Sequence, residues 1–472
     1  MILRDLKYTK ITMLFGAALF LLSCGEKKLD EERIEKSDEG MPGLKISENQ
    51  RYFETESGDP FFWLGDTGWL LLSKLDREET ERYLEDRKQK GFNVIQVMVL
   101  HTNEAVNVYG DTALVNGNVA TPKIIEGKDM EQGQYDYWDH VDYVVGLAGE
   151  KGLYMALVPV WGSPVRAGHV TSQDANEYSR FLAKRYKNSK HVIWLNGGDV
   201  PGSDSTAVWQ TIGHNLWELN PDHLITFHPR GRTQSSDWFH KEKWLDFNMI
   251  QSGHRRYDQD TSGKAYGEDN WKYVDVDYAL KPTKPTLDAE PSYEGIPQGL
   301  HDPNEPLWDD AAVRRYGYWS VFAGAAGYTY GHSAVMQMHR PMDESSAYGN
   351  NITWEEAMYA PGAKQMIHLK NLMLDFPYFE RIPDQTLILN QGQKYDYLVA
   401  TRGNDYALVY TYTGREIELQ LGTFGGDTLE AKWYNPRTGA YSEIGKIDNK
   451  GTHKFKPDGE VQDGNDWVLV LN

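Results

Sequence analysis

The chain of 472 residues has one cysteine, Cys24, so no intramolecular disulfide can brace it and stability must come from packing. Positive charge is scarce as well: 49 Lys+Arg face 69 Asp+Glu, a formal net charge of −20. That balance excludes a basic nucleic-acid-binding protein. No apolar run is long enough to span a bilayer, since the longest candidate, residues 11–22, falls short of the roughly 20 residues a transmembrane helix needs. Several catalytic signatures are missing too. No G-x-G-x-x-G or Walker pattern follows a strand, and there is neither a G-x-S-x-G elbow nor a His-Glu-x-x-His helix. What is present is ordinary core material, 40% hydrophobic residues with 15 Trp, 29 Tyr and 15 Phe. Aromatics in that supply build cores and can also offer flat faces for sugar rings.

Residues 1–10 are basic, and the apolar run after them ends in Leu21-Leu22-Ser23-Cys24-Gly25. This reads as a signal peptide over residues 1–23. Its end resembles the bacterial lipobox, which implies cleavage before Cys24, lipidation of that cysteine and anchoring of an exported lipoprotein to the outer membrane. Residues 24–44 begin with a charged stretch free of aromatics and are expected to be a flexible tether.

From residue 45 to 376 apolar runs alternate with amphipathic stretches, the pattern of repeated βα units. Candidate strands lie at 61–65, 94–100, 154–160, 191–195, 223–227, 247–250, 284–287 and 327–330. Asp76 with Glu79, and Asp174 with Glu177, have capping-box spacing for intervening helices. Eight such units predict a (β/α)8 TIM barrel, with a doubly wound open sheet as the alternative. From residue 377 to 472 the pattern turns to short alternating strands, a small antiparallel β-sandwich domain, with Asn435-Pro436-Arg437-Thr438-Gly439 as a hairpin turn.

A barrel gathers the residues beyond its C-terminal strand ends at one mouth. In strand order these include Asp66 and Trp69, His101, Trp161, Asn196 and Asp199, His228, Gln251 and His254, Glu290, and Tyr330 and His332. Asp199 and Glu290 stand out as a carboxyl pair on opposite sides of the mouth, because glycosidic-bond hydrolysis needs one group to protonate the leaving oxygen and another to attack or stabilise the anomeric carbon. Asp199 could equally cap a turn after Gly197-Gly198, and Glu290 could be a surface carboxylate. Asp66, Asn196, Gln251 and Tyr330 are candidate partners of sugar hydroxyls, Trp69 and Trp161 candidate stacking platforms, and the four histidines candidate donors to substrate or carboxylates.

Four histidines on one face also raise a zinc hydrolase. The first strand lacks a His-x-His pair, however, and no cysteine ligands cluster, so neither a metal nor a cofactor is expected. A glycan-capturing lipoprotein without catalysis is a further alternative. The acidic composition favours small oligosaccharides over a bulk anionic polymer.

The blocks Phe62-Trp63-Leu64-Gly65-Asp66-Thr67-Gly68-Trp69, Gly91-Phe92-Asn93-Val94-Ile95-Gln96, Trp194-Leu195-Asn196-Gly197-Gly198-Asp199 and Leu287-Asp288-Ala289-Glu290-Pro291 together resemble the apiosidase-like family, glycoside hydrolase family 140, formerly a domain of unknown function. The terminal domain is similar to a module named as collagen-binding. The resemblance implies a retaining (β/α)8 glycosidase with Asp199 as general acid/base and Glu290 as nucleophile, acting on apiose-bearing pectic side chains. Larger groups of retaining barrel glycosidases place Asn-Glu after strand four, where this chain has Asn196-Gly-Gly-Asp199. Binding of collagen itself is not expected of the terminal domain.

Overall fold

The computed structural model describes residues 40–343 and 345–472; the leader, Cys24 and most of the tether lie outside them. Among the described residues no helix is long and apolar enough to cross a membrane.

Eight parallel strands form at the apolar runs: β1 (Trp63–Thr67), β2 (Val94–Met98), β3 (Tyr154–Val158), β4 (Val192–Val200), β5 (Ile225–Pro229), β6 (Asn248–Gln251), β7 (Thr286–Asp288) and β8 (Gly327–Tyr330). They are short and buried along almost their whole length, as strands sandwiched between a barrel interior and outer helices must be. The order is β5-β4-β3-β2-β1-β8-β7-β6, with Thr233–Gln234 added antiparallel to β6. This is the cyclic order of a (β/α)8 barrel, and it has none of the switch-point reversal of a doubly wound sheet.

No backbone ladder joins β5 to β6. Asp246 closes that seam instead: its N–H donates to Ile225 O at 2.8 Å, and its carboxylate accepts from the Ile225 N–H at 2.7 Å. Thr226 Oγ1 adds a bond to Phe247 O at 2.6 Å.

The main helices are α1 (Arg77–Gln89), α2 (Tyr137–Glu150), α3 (Ser172–Tyr186), α4 (Thr206–Leu219), α5 (Trp271–Ala279), α6 (Asp310–Phe322) and α7 (Pro361–Leu374). Between β5 and β6 only a four-residue helix, Ser236–Phe239, is present. Asp76 and Glu79 form the reciprocal capping box that their spacing predicts. At α3 the expectation fails by one turn. The cap is Thr171, paired reciprocally with Asp174, because Thr171 precedes an apolar stripe that starts at Ala175 and recurs at Tyr178 and Leu182.

A three-stranded antiparallel sheet, Leu44–Ile46, Phe53–Thr55 and Pro60–Phe61, covers the N-terminal end of the barrel. Phe53 meets Phe247 edge-on at 5.0 Å, and Phe61 meets Tyr154 at 5.1 Å. This end is sealed with apolar rings, so the opposite end is the open one.

Past α7 the chain forms an antiparallel domain. Its six-stranded sheet runs Ile382–Pro383, Val399–Arg402, Ala407–Thr411, Trp467–Leu471, Thr428–Asn435, Ala440–Asp448, and a two-stranded sheet pairs Ile417–Leu421 with Gly451–Phe455. Gly439 closes the predicted hairpin turn at φ +72°. The domain is welded to α6 by an ion pair buried at both ends: Arg314 donates to the Asp466 carboxylate through Nε at 2.8 Å and Nη2 at 3.0 Å. The neighbouring Tyr318 and Tyr410 rings stack at 4.8 Å. Such a pair leaves a costly unpaired charge if one partner is lost.

Candidate active site

At the open end lies a cavity of about 840 Å3 whose walls include Trp69, Trp161, Asp199, Gln251, His254 and Glu290. The sequence-predicted carboxyl pair therefore meets in one pocket. His228, fully buried, lies just beneath and links the two.

Asp199 owes its position to a bulge. The β4–β5 register slips between Gly197 and Val200, and three consecutive residues have left-handed backbone: Gly197 at φ +93°, Gly198 at φ +120° and Asp199 at φ +52°. The two glycines are obligatory. A Cβ on Gly197 would stand 2.6 Å from His228 O and from the Phe227 ring, and one on Gly198 would stand 2.5 Å from the Trp161 ring. Gly198→Ala is thus expected to displace Asp199, lowering kcat at least about tenfold and costing about 1–3 kcal/mol of stability, as read by turnover and thermal unfolding. Wild-type turnover in a folded Gly198→Ala protein would show that Asp199 needs no such bulge.

Glu290 follows β7 by two residues. Its Oε2 is 2.9 Å from His228 Nε2 and its Oε1 is 3.4 Å from His254 Nε2. Each imidazole has its other nitrogen turned to a backbone donor: the Asp199 N–H makes a long bond to His228 Nδ1 at 3.5 Å, and the Tyr293 N–H one to His254 Nδ1 at 3.4 Å. With both Nδ1 atoms accepting, both Nε2 atoms carry the hydrogen and face the carboxylate. Burial works to raise the Glu290 pKa, but the two imidazoles outweigh it and hold it at about 2. Asp199 moves the other way: burial first, then the negative Glu290, push its pKa up, against smaller opposing contributions from His228, the Gly231 N–H and Gln251. One carboxyl is kept ionised and the other is biased toward its protonated form, as an acid and a base sharing a site require.

The remaining predicted residues divide. Trp69 and Trp161 are on the wall as expected, 5.4 Å apart, and both pack on His228. Asp66 is a correction. It is fully buried on the helix side of β1, where Arg87 Nε and Tyr83 OH of α1 each donate to its Oδ2 at 2.6 Å. Asn196 likewise ties β4 to α4 by donating to Trp209 O at 2.8 Å. Tyr330 is turned away from the cavity, and its hydroxyl donates to Glu294 at 2.6 Å. His332 caps a short helix through the Ala334 N–H at 3.1 Å, and His101 sits beside Ser73 at 3.1 Å. None of these five lines the cavity.

Sequence reasoning missed Tyr293 and Tyr348, whose rings line the pocket and whose pKa values are raised by burial and then by Glu290. It also missed Arg232, Arg255 and Lys264, which share the wall with Arg230 at the end of β5. Tyr293 could have been found as an aromatic three residues past Glu290; Tyr348 belongs to a loop without a signal.

Comparison with known proteins agrees with this geometry. The family described as "Apiosidase-like, catalytic domain" matches residues 47–380, and the one described as "Putative collagen-binding domain of a collagenase" matches residues 382–472. No curated protein matches. A solved structure described as a glycoside hydrolase is 48% identical, with a TM-score of 0.87 over 91% of this chain and 96% of that one. A crystal structure described as a glycoside hydrolase family 5 protein from Bacteroides vulgatus is 45% identical, with a TM-score of 0.87 over 91% of this chain and 93% of that one. A third structure, also from Bacteroides vulgatus, shares the fold at 15% identity and a TM-score of 0.61, over 92% of this chain and 83% of that one. With a carboxyl pair at the mouth of a (β/α)8 barrel and these relatives, the chain belongs to the apiosidase-like family of glycoside hydrolases and is an enzyme acting on glycosidic bonds.

Proposed function

We propose that this enzyme cleaves pectin-type, apiose-bearing oligosaccharides with retention of configuration, Glu290 acting as nucleophile and Asp199 as acid/base. The observation that carries the reading is the pair of imidazoles aimed at Glu290, which keep it anionic, while Asp199 across His228 is held toward its protonated form. In the first step Glu290 attacks the anomeric carbon as Asp199 gives its proton to the leaving oxygen. In the second, Asp199 takes a proton from water and that water displaces Glu290.

The cavity is two-sided. Trp69, Met98, Trp161 and Met336 give it an apolar flank, while Arg230 and Arg255 on its wall have no ion-pair partner among the described residues. The net charge of −20 is therefore a poor guide to this pocket, which offers local cations to an anionic sugar such as a uronate. Cys24 in its lipobox context supports attachment to the outer membrane, where released oligosaccharides would be met.

The test is sugar release from a panel of pectic and neutral plant oligosaccharides, with the anomer of the first product followed by NMR. The expected result is release of apiose with retention. Replacing Arg230 and Arg255 together by Ala is expected to raise KM about tenfold on uronate-bearing members, with little change on neutral ones and with the difference shrinking at high salt. An inverted first product, or equal KM changes on both groups, would overturn the corresponding part of the reading.

A further inference from the structure

The loop that follows β6 forms one wall of the pocket: Arg255 and residues 260–264 line it, and His254 at its start touches Glu290. Much of what holds this loop comes from the barrel. Arg232 donates to the Gly267 carbonyl and to Asp260 Oδ2, the latter at 2.7 Å, and the Gly267 N–H donates to the same Asp260 oxygen at 2.7 Å.

The rest comes from α6 and the terminal domain together. Glu268, the residue after Gly267, is completely buried. Its Oε2 accepts from Arg315 Nη2 at 2.6 Å, and the Tyr395 hydroxyl donates to Oε1 at 2.8 Å. Tyr395 lies in the terminal domain, and its ring packs against Tyr257 of the loop at 5.7 Å. Two residues on, Tyr397 stacks flat on Trp271 of α5, with centroids 4.1 Å apart and planes 4° apart. The line of contact therefore runs from Tyr395 through Glu268 to Gly267, and from there to Asp260 and Arg232 on the pocket wall.

We propose that the C-terminal domain serves the active site as a buttress, and that Tyr395 is a positioning residue fixing the pocket-lining loop 253–267. The proposal rests on this cavity being the substrate site. It gives the domain a role in substrate recognition within the chain, separate from any external ligand.

Tyr395→Phe in the full chain removes the donor to Glu268 and keeps the ring. A lost bond to a charged, buried group should let the loop open more often while the rest of the fold stays closed. Tryptic cleavage after Arg255, Arg256 or Lys264 should then quicken about tenfold, with the thermal midpoint almost unchanged. KM on the oligosaccharide that the wild type cleaves should rise about three- to tenfold, with kcat within about twofold. Tyr395→Ala should exaggerate both effects, and Lys454→Ala on the exposed strand Gly451–Phe455 should show neither. Loop cleavage and KM equal to wild type in a folded Tyr395→Ala protein would overturn the buttress. If no oligosaccharide is turned over, the cleavage rate alone decides the buttress, so failure of the functional reading is told apart from failure of this one.

Discussion

Glu290→Ala is expected to lower kcat/KM by on the order of 10^4 or more, because in the proposed mechanism it removes the atom that bonds to the anomeric carbon and no neighbour can replace it. The two imidazoles face Glu290 through Nε2 and are not nucleophiles there, and in the variant burial still favours protonated Asp199 although its negative neighbour is gone. The fold should survive. Glu290 borders an open cavity, so truncation widens a solvated space and leaves no closed void in the core, while His228 and His254 lose a carboxylate partner but keep their backbone donors. A small external nucleophile such as azide should restore turnover of aryl glycosides by attacking from the side Glu290 vacates, displacing the phenolate and giving the glycosyl azide of inverted configuration. Measured by product release and circular dichroism, a folded variant within about tenfold of wild type would mean that Glu290 is not the nucleophile.

Why the pair was legible in the sequence, and several neighbours were not, follows from strand geometry. Each barrel strand is a short apolar run ending in polar residues, so the eight strands and their open ends can be read directly. Side chains alternate between the two faces of a strand, and an apolar run buried on both faces does not show that parity. Asp66, Asn196 and Tyr330 are near the correct end but point to the helix side, where they tie β1 to α1, β4 to α4, and β8 to Glu294. Asp199 escapes the same fate because the glycine bulge turns the chain at that point. Two adjacent glycines before an acid, at the end of an apolar run, were the available signal. The cationic wall was hidden for another reason: Arg255 and Lys264 belong to an irregular loop after β6, and only the fold brings that loop over the mouth. In the terminal domain, Ala440–Asp448 and Gly451–Phe455 carry little strand signal because they are mostly exposed and lack the alternation that marks a half-buried strand.

Asp199→Ala is expected to separate substrates by leaving group. Protonation of the departing oxygen matters most when that oxygen is a poor leaving group, so turnover of natural oligosaccharides should fall about 10^2- to 10^4-fold. An activated aryl glycoside, whose phenolate needs no proton, should lose far less in its first step. The pH profile gives an independent reading. The proposed mechanism needs Asp199 protonated and Glu290 ionised, so wild-type activity should fall as pH rises through the raised Asp199 pKa and show no acid limb from Glu290 until about pH 2. In Asp199→Ala the alkaline limb should vanish while the acid side is unchanged. The sign can be checked without catalysis: in Glu290→Gln the negative neighbour is gone, so the Asp199 pKa, followed by carboxyl NMR, should drop below its wild-type value yet stay above that of an exposed aspartate because its burial persists. Equal loss on activated and natural substrates, or an alkaline limb that survives in Asp199→Ala, would assign the proton to another group. The search would then turn to Tyr293 and Tyr348 on the same wall.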